Sequence, residues 1–239
     1  VPDSPQPEGF DLLYEEGPCL VVAKPGGVLT QAVPGVDSLE VRVRAFLRRR
    51  DAIQGNFYLA HLHRLDRPVS GALVLARHVR AAKRIGQQFE RRPVRKTYWA
   101  VVEGVVEPAS GTWLDHVRKI PDVAQAEVVP PDHPEGRHAV LHYRTLRQFD
   151  GMTWLEIELE TGRTHQIRVQ AASRGYPVLG DAQYGAKLPF GPQTADERER
   201  WIALHARSLE LAHPMTRERF TVVAPLPEPW QPLKLPNIE

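Results

Sequence analysis

Cysteine occurs once in these 239 residues, at Cys19, and methionine only twice. A single thiol makes neither an internal disulfide nor a thiolate zinc cluster. That excludes a disulfide scaffold and leads us to expect a reducing compartment, the cytoplasm. No apolar run approaches the roughly 18 residues a membrane-spanning helix requires, so no membrane partner is expected. Residues 1–9 are proline-rich and acidic, lack the basic-then-apolar order of a secretory leader, and read as a flexible tail. Internal repeats and low-complexity blocks are also missing. What is present is ordinary: 42% hydrophobic and 25% charged residues suit a globular protein. The length allows one large domain or two small lobes with a real core.

Net charge is only +2, yet it is unevenly placed. Between Arg77 and Lys96 stand Arg77, Arg80, Lys83, Arg84, Arg91, Arg92, Arg95 and Lys96, against Glu90 alone. Arg48-Arg49-Arg50 forms a second basic cluster, while acids gather at Glu156, Glu158 and Glu160. Such segregation is the footprint of a nucleic-acid binder, although a solvated helix face gives the same pattern.

Along the chain, Phe10–Glu16 and Cys19–Ala23 are short apolar runs around Gly17-Pro18, which predicts a β-hairpin. Asp37 or Ser38 can cap a helix whose apolar face is Leu39, Val43, Phe46 and Leu47. Ala72–Ala76 reads as a strand, Val79–Arg91 as a helix burying Ala82, Ile85 and Phe89, and Lys96–Val106 as a strand. Residues 107–137 carry Pro108, Pro121, Pro130, Pro131 and Pro134 and read as loops, an RNA-contacting excursion between lobes. Asp150-Gly151 between two alternating runs predicts a hairpin. A helix follows Thr161-Gly162-Arg163-Thr164, with Thr164 as its expected N-cap and its end near Arg174-Gly175. Residues 186–200 read as a surface loop with a short charged helix, and Leu204–Leu211 with Phe220–Ala224 as a last strand pair. The proline-rich segment 226–239 is expected to run extended, pinned by Trp230. Irregular interleaving of strands and helices around an antiparallel hairpin argues an α+β fold with a mixed, largely antiparallel sheet.

The chemistry concentrates in His63-Arg64-Leu65-Asp66-Arg67-Pro68-Val69-Ser70-Gly71, where one carboxylate sits between two guanidinium groups on a turn. A structural turn has little use for that arrangement. A reacting carboxylate bound for a polyanion does: it must stay ionised, and the surrounding phosphates must be neutralised. Histidines invite a metal reading at His61-x-His63 and at His133, His138 and His142, but no Cys or Glu pattern accompanies them, so no metal is expected.

This stretch resembles the segment that holds the catalytic aspartate in RluA-type pseudouridine synthases. Lys24-Pro25-Gly26-Gly27 is similar to the early turn of that family, and Lys96-Thr97-Tyr98-Trp99-Ala100-Val101-Val102-Glu103-Gly104 to its tyrosine strand. Thr161-Gly162-Arg163-Thr164-His165-Gln166-Ile167-Arg168, followed by Gly180-Asp181 and Tyr184-Gly185, is similar to its third segment. Leu204-His205-Ala206 up to His213-Pro214 adds a weaker match. The likeness runs from residue 10 to about 225, which sets the expected catalytic domain between the two tails.

The resemblance implies a cofactor-free isomerase that breaks the C1′–N1 glycosidic bond of uridine in tRNA or rRNA, turns the base and rejoins it through C5. It implies two lobes on one bent sheet with flanking helices and a central cleft. By the same resemblance Asp66 is the nucleophile, Arg168 the cation that pairs with it, and Tyr98 the platform for the extruded base. Arg64 is the contact that fills the vacated stack. Arg67, Lys96 and Arg163 are phosphate contacts, while His165 and Gln166 support the acid or the base edge. Trp99, on the other face of the strand, belongs to the core. The family usually has Thr where Val69 stands, so one turn hydroxyl is missing. No small RNA-binding module is expected before residue 10, which leaves target selection to this domain. A monomer is the default. Two rivals are weaker. A non-catalytic RNA binder would predict loss of Asp66, Tyr98 or Arg168, and a glycoside hydrolase would need a second carboxylate beside the first. Asp181, the one other acid in a motif, reads as a turn residue.

Overall fold

The structure, a computed structural model, describes residues 5–31, 33–91 and 94–236. Two compact units divide the chain: Val1–Arg95 with Ala206–Pro227, and Lys96–His205 with Glu228–Glu239.

In the first unit, β1 (Asp11–Glu16) and β2 (Cys19–Lys24) form the expected antiparallel hairpin. β2 pairs antiparallel with β4 (Ser70–Ala76), onto which β3 (Ala60–His61) is also paired. The sheet continues from β4 to β10 (Leu204–Ala212), whose partner is β11 (Arg219–Val223). All seven residues of β4 are buried, so it reads as an unbroken apolar run because both its faces are covered. One face carries Val21, Ala72, Val74 and Leu211, packed with Ala81, Ala82 and Ile85 of α2 (Val79–Arg91). By alternation the other carries Leu20, Val22, Leu73 and Leu75, all fully buried. α1 (Leu39–Arg50) buries the four residues its period predicts, Leu39, Val43, Phe46 and Leu47, and Ser38 caps it by accepting from Val41 N–H at 3.3 Å.

The second unit is an antiparallel sheet in the order β5-β9-β8-β6-β7. Its strands are β5 (Arg95–Glu103), β6 (Ser110–Lys119), β7 (Ala126–Val129), β8 (Arg137–Phe149) and β9 (Met152–Leu159). Asp150 (φ 48°) and Gly151 (φ 73°) are both left-handed, the two-residue turn whose twist matches the flanking strands. α3 (Gln166–Ala172) packs Val169 against Val117, Ala126 and Ala139.

Two expectations fail here. Residues 107–137 are not loops, because β6 and β7 run through them. The prolines sit at strand ends rather than inside, and Trp113, Val117, Ala126 and Val129 are buried. The C-terminal segment is not extended either. Glu228–Leu233 coils into 3-10 turns, since the fixed φ of proline suits that geometry too. Its anchor is as expected: Trp230 is buried edge-on to Phe190 and His205. The segment therefore belongs to the second unit instead of standing apart as a tail.

Candidate active site

In the first unit the Asp66 turn is fastened from beneath. Val69 N–H donates to Asp66 C=O at 3.1 Å, which closes the turn. Buried Thr30 accepts from Leu65 N–H at 3.2 Å and donates to Leu65 C=O at 2.8 Å, pinning the backbone just before the acid. Lys24, 1% exposed, donates to Pro25 C=O at 2.8 Å, Val28 C=O at 2.7 Å and Arg67 C=O at 3.1 Å. One ammonium thus ties the Lys24-Pro25-Gly26-Gly27 turn to the residue after the acid. Arg67 answers from the other side, donating through Nε to Gly27 C=O at 2.9 Å. Burial lowers the Lys24 ammonium from its usual range to about 7, and the charge of Asp66 opposes that shift.

His63 also works as a fastener. Its Nε2 accepts from Val74 N–H at 3.1 Å and its ring stacks on Phe89. Arg64 is exposed, and Asp66 and Arg67 are half-buried. Gly71 has φ +120°, and a Cβ there would stand 2.3 Å from Ala206 O and 2.5 Å from Ala206 N. Only glycine lets β10 pass that closely. Val69, in place of the usual Thr, is buried with the turn intact around it.

In the second unit Tyr98 lies in β5 opposite Ile157 and is nearly buried. Trp99 is in the core as expected, edge-on to Trp154 and donating Nε1–H to Glu156 at 3.3 Å. A methyl group built on Gly162 would lie 3.6 Å from Lys96 Nζ, so that ammonium stands beside the 161–166 loop. Buried Gln166 organises the loop: its Oε1 accepts from Thr161 Oγ1 at 2.8 Å and Arg163 N–H at 3.0 Å, while Nε2 donates to Val140 C=O at 3.1 Å. That engagement makes Gln166 a loop scaffold. Arg163 is half-buried and donates through Nε to His138 C=O at 2.9 Å.

Thr164 does not cap α3. His165 occupies the N-cap in the left-handed region (φ 52°, ψ 26°) and makes no side-chain cap bond. The helix begins one residue later than the hydroxyl's position, so Thr164 stands before the N-cap. The His165 ring instead meets Tyr184, Nδ1 to Oη at 2.8 Å, and the same hydroxyl accepts from Ala126 N–H.

Arg168 is 3% exposed, and its guanidinium is clamped by a partner that the sequence disguises as a turn residue. Nε donates to Asp181 Oδ2 at 2.6 Å and Nη2 to Asp181 Oδ1 at 2.8 Å, a bidentate pair, and Nη2 also reaches Gln183 Oε1 at 2.7 Å. The ring of Tyr184 lies beneath it, centroid to Cζ 4.8 Å. Gly180-Asp181 and Tyr184-Gly185 are therefore the support of Arg168. The signal that could have revealed this is a buried arginine's need for a carboxylate.

Comparison with known proteins supplies the deciding observation. The family described as RNA pseudouridylate synthase matches residues 18–173, which takes in the Lys24 turn, the Asp66 turn, Tyr98 and Arg168. The chain belongs to the RNA pseudouridylate synthase family. Its RluA-type branch is marked by relatives such as ribosomal large subunit pseudouridine synthase D of Xanthomonas campestris, 37% identical over 96% of this chain and 70% of that protein. The Pseudomonas aeruginosa protein of the same name is 36% identical over 92% and 69%. An uncharacterized RNA pseudouridine synthase of Synechocystis is 34% identical over 94% and 68%. Among solved structures, human RNA pseudouridylate synthase domain containing 4 shares the fold with TM-score 0.75 at 23% identity, covering 95% of this chain and 94% of that one.

A pseudouridine synthase isomerises uridine within RNA, so RNA is the partner and the α+β fold is the one expected. The basic clusters divide unequally on that reading. The arginines of α1 are engaged locally: Arg42 with Asp37, Arg44 with Glu40, Arg49 with Glu8, and Arg50 with Glu15 and Asp51. Arg48 donates to Gly55 C=O and lies over Phe57. The expected second basic cluster is mostly neutralised.

Proposed function

We propose that this pseudouridine synthase acts on ribosomal RNA with Asp66 as its nucleophile. Tyr98 serves as base platform, Arg168 as the cation of the reaction and Arg64 as the contact that holds the RNA open. The reaction is an isomerisation: the C1′–N1 bond breaks, a C1′–C5 bond forms, and the hydrogen lost from C5 is matched by one gained at N1. No electrons are exchanged with any second reagent, and a carboxylate with cations around it suffices. The single observation that carries the reading is the Asp66 turn. A half-buried carboxylate is flanked by Arg64 and Arg67 on a backbone that Lys24 and Thr30 fix at both sides. A turn built to hold an acid that firmly suits preorganised chemistry better than a surface contact. Relatives named for the ribosomal large subunit favour rRNA over tRNA. Arg163 and His165 of the 161–166 loop, with Lys96 of β5 beside it, are assigned to the RNA; Arg67 divides its guanidinium between the turn and the phosphates.

The test is pseudouridine mapping in total RNA from cells with and without the gene, with purified Asp66→Asn assayed in parallel. We expect one or a few rRNA uridines to lose modification. Asp66→Asn should make no product while binding RNA within about twofold of wild type. Conversion by the Asn variant would remove Asp66 from the chemistry, and loss of a tRNA modification alone would move the substrate.

A further inference from the structure

The reaction needs only one uridine, yet the first unit carries a basic surface that the proposed chemistry leaves unused. On α2, Arg80, Lys83, Arg84 and Arg91 recur at spacings of three, four and seven residues, which places them on one stripe opposite buried Ala81, Ala82 and Ile85. From Arg80 to Arg91 the stripe covers about 16 Å of helix, enough for several consecutive phosphates. Arg80, Lys83 and Arg91 are exposed. Among the described residues no carboxylate or carbonyl takes their side chains, in contrast to the arginines of α1. Arg84 bridges to the turn before β11, donating to Pro214 C=O at 2.7 Å. That turn adds exposed Arg217, in the left-handed region at φ 70°. The acids close in sequence are Glu90, toward one flank of the stripe, and Glu218, both exposed.

We infer that this stripe of α2, with Arg217 beside it, is a docking surface for the phosphate backbone of the substrate RNA away from the target nucleotide. The inference rests on RNA being the substrate and not on the role of Asp66. Unpaired guanidinium and ammonium groups in a row release counterions when they meet phosphates, giving affinity that is strongly salt-dependent and indifferent to sequence. Target selection would then combine pocket fit with the shape of the RNA that reaches α2.

The test compares wild type with the triple variant Arg80→Gln, Lys83→Gln, Arg91→Gln. Its reference is Lys119→Gln, Lys187→Gln, Lys234→Gln, which removes the same charge from exposed positions of the second unit. Turnover is followed on a long structured rRNA fragment over a range of salt concentrations. The α2 variant should raise KM at least tenfold with kcat unchanged. It should also flatten the plot of log(kcat/KM) against log[salt] by about 2, from three lost phosphate contacts at about 0.7 each. The reference variant should move KM by less than twofold. A KM and salt slope unchanged in the α2 variant, or changed equally in both variants, would overturn the proposal. A wild type that makes no pseudouridine fails the proposed function instead, so the two failures are distinct.

Discussion

Lys24 holds three carbonyls with one ammonium, and replacing it separates two effects. Lys24→Met keeps the bulk and removes the donors, leaving carbonyls that each cost about 1–3 kcal/mol when unsatisfied, offset by no longer burying a charge. We expect a loss of about 2 kcal/mol in unfolding free energy and a fall in kcat of at least tenfold, because the Asp66 turn loses its tie to Arg67. The pH dependence has a definite sign. Burial holds the folded ammonium at about 7, while the unfolded chain keeps the ordinary 10.5. Between those values the unfolded state binds more protons, so the Lys24 contribution to stability rises with pH across that window and is flat below it. Wild type should therefore gain on Lys24→Met in urea midpoint between pH 7 and about pH 10; parallel curves would contradict the buried charge. The sequence displays Lys24 as part of a turn motif, and Asp66 as the reacting acid by resemblance. It cannot display that Lys24 reaches Arg67 C=O 43 residues away, because that bond exists only once β2 and β4 are paired.

Among the elements, the helix α3 that bears Arg168 and the glycine that ends the Asp66 turn make different demands. Arg168 and Asp181 are both nearly inaccessible, so Asp181→Ala should cost about 3–5 kcal/mol by stranding a buried cation. The double variant Arg168→Met, Asp181→Leu should recover much of that thermal stability and still make no product, which separates scaffold from reaction. Recovery of both would make the pair purely structural. Gly71→Ala forces a methyl group onto the backbone of Ala206 and should cost more than about 3 kcal/mol, read as lost soluble yield or a lower melting point. Local signals carried much of this level: Ser38 and the four apolar residues after it marked α1, and Asp150-Gly151 marked the β8–β9 hairpin. Proline density misled for β6 and β7, whose strands survive because each proline falls outside them. Thr164 looked like a cap because cap preference is a local rule, whereas the N-cap falls at left-handed His165, whose ring is met by Tyr184 19 residues on.

At the scale of the whole molecule, the C-terminal segment returns to the second unit through Trp230, which is 2% exposed. Trp230→Ala should remove about 3–5 kcal/mol from that unit. Hydrogen exchange should rise around Phe190 and His205, its ring neighbours, while the first unit keeps its protection. The sequence had marked the anchor but not its seat. The first unit, by contrast, is stitched from pieces far apart: β4 ends at Ala76, and its neighbour β10 begins only at Leu204. As the polypeptide leaves the ribosome, the half bearing Asp66 must therefore wait with an open strand edge while more than a hundred further residues are made. The turn that carries Asp66 thus gains its second flanking strand only after every strand of the other unit's sheet has already been synthesised.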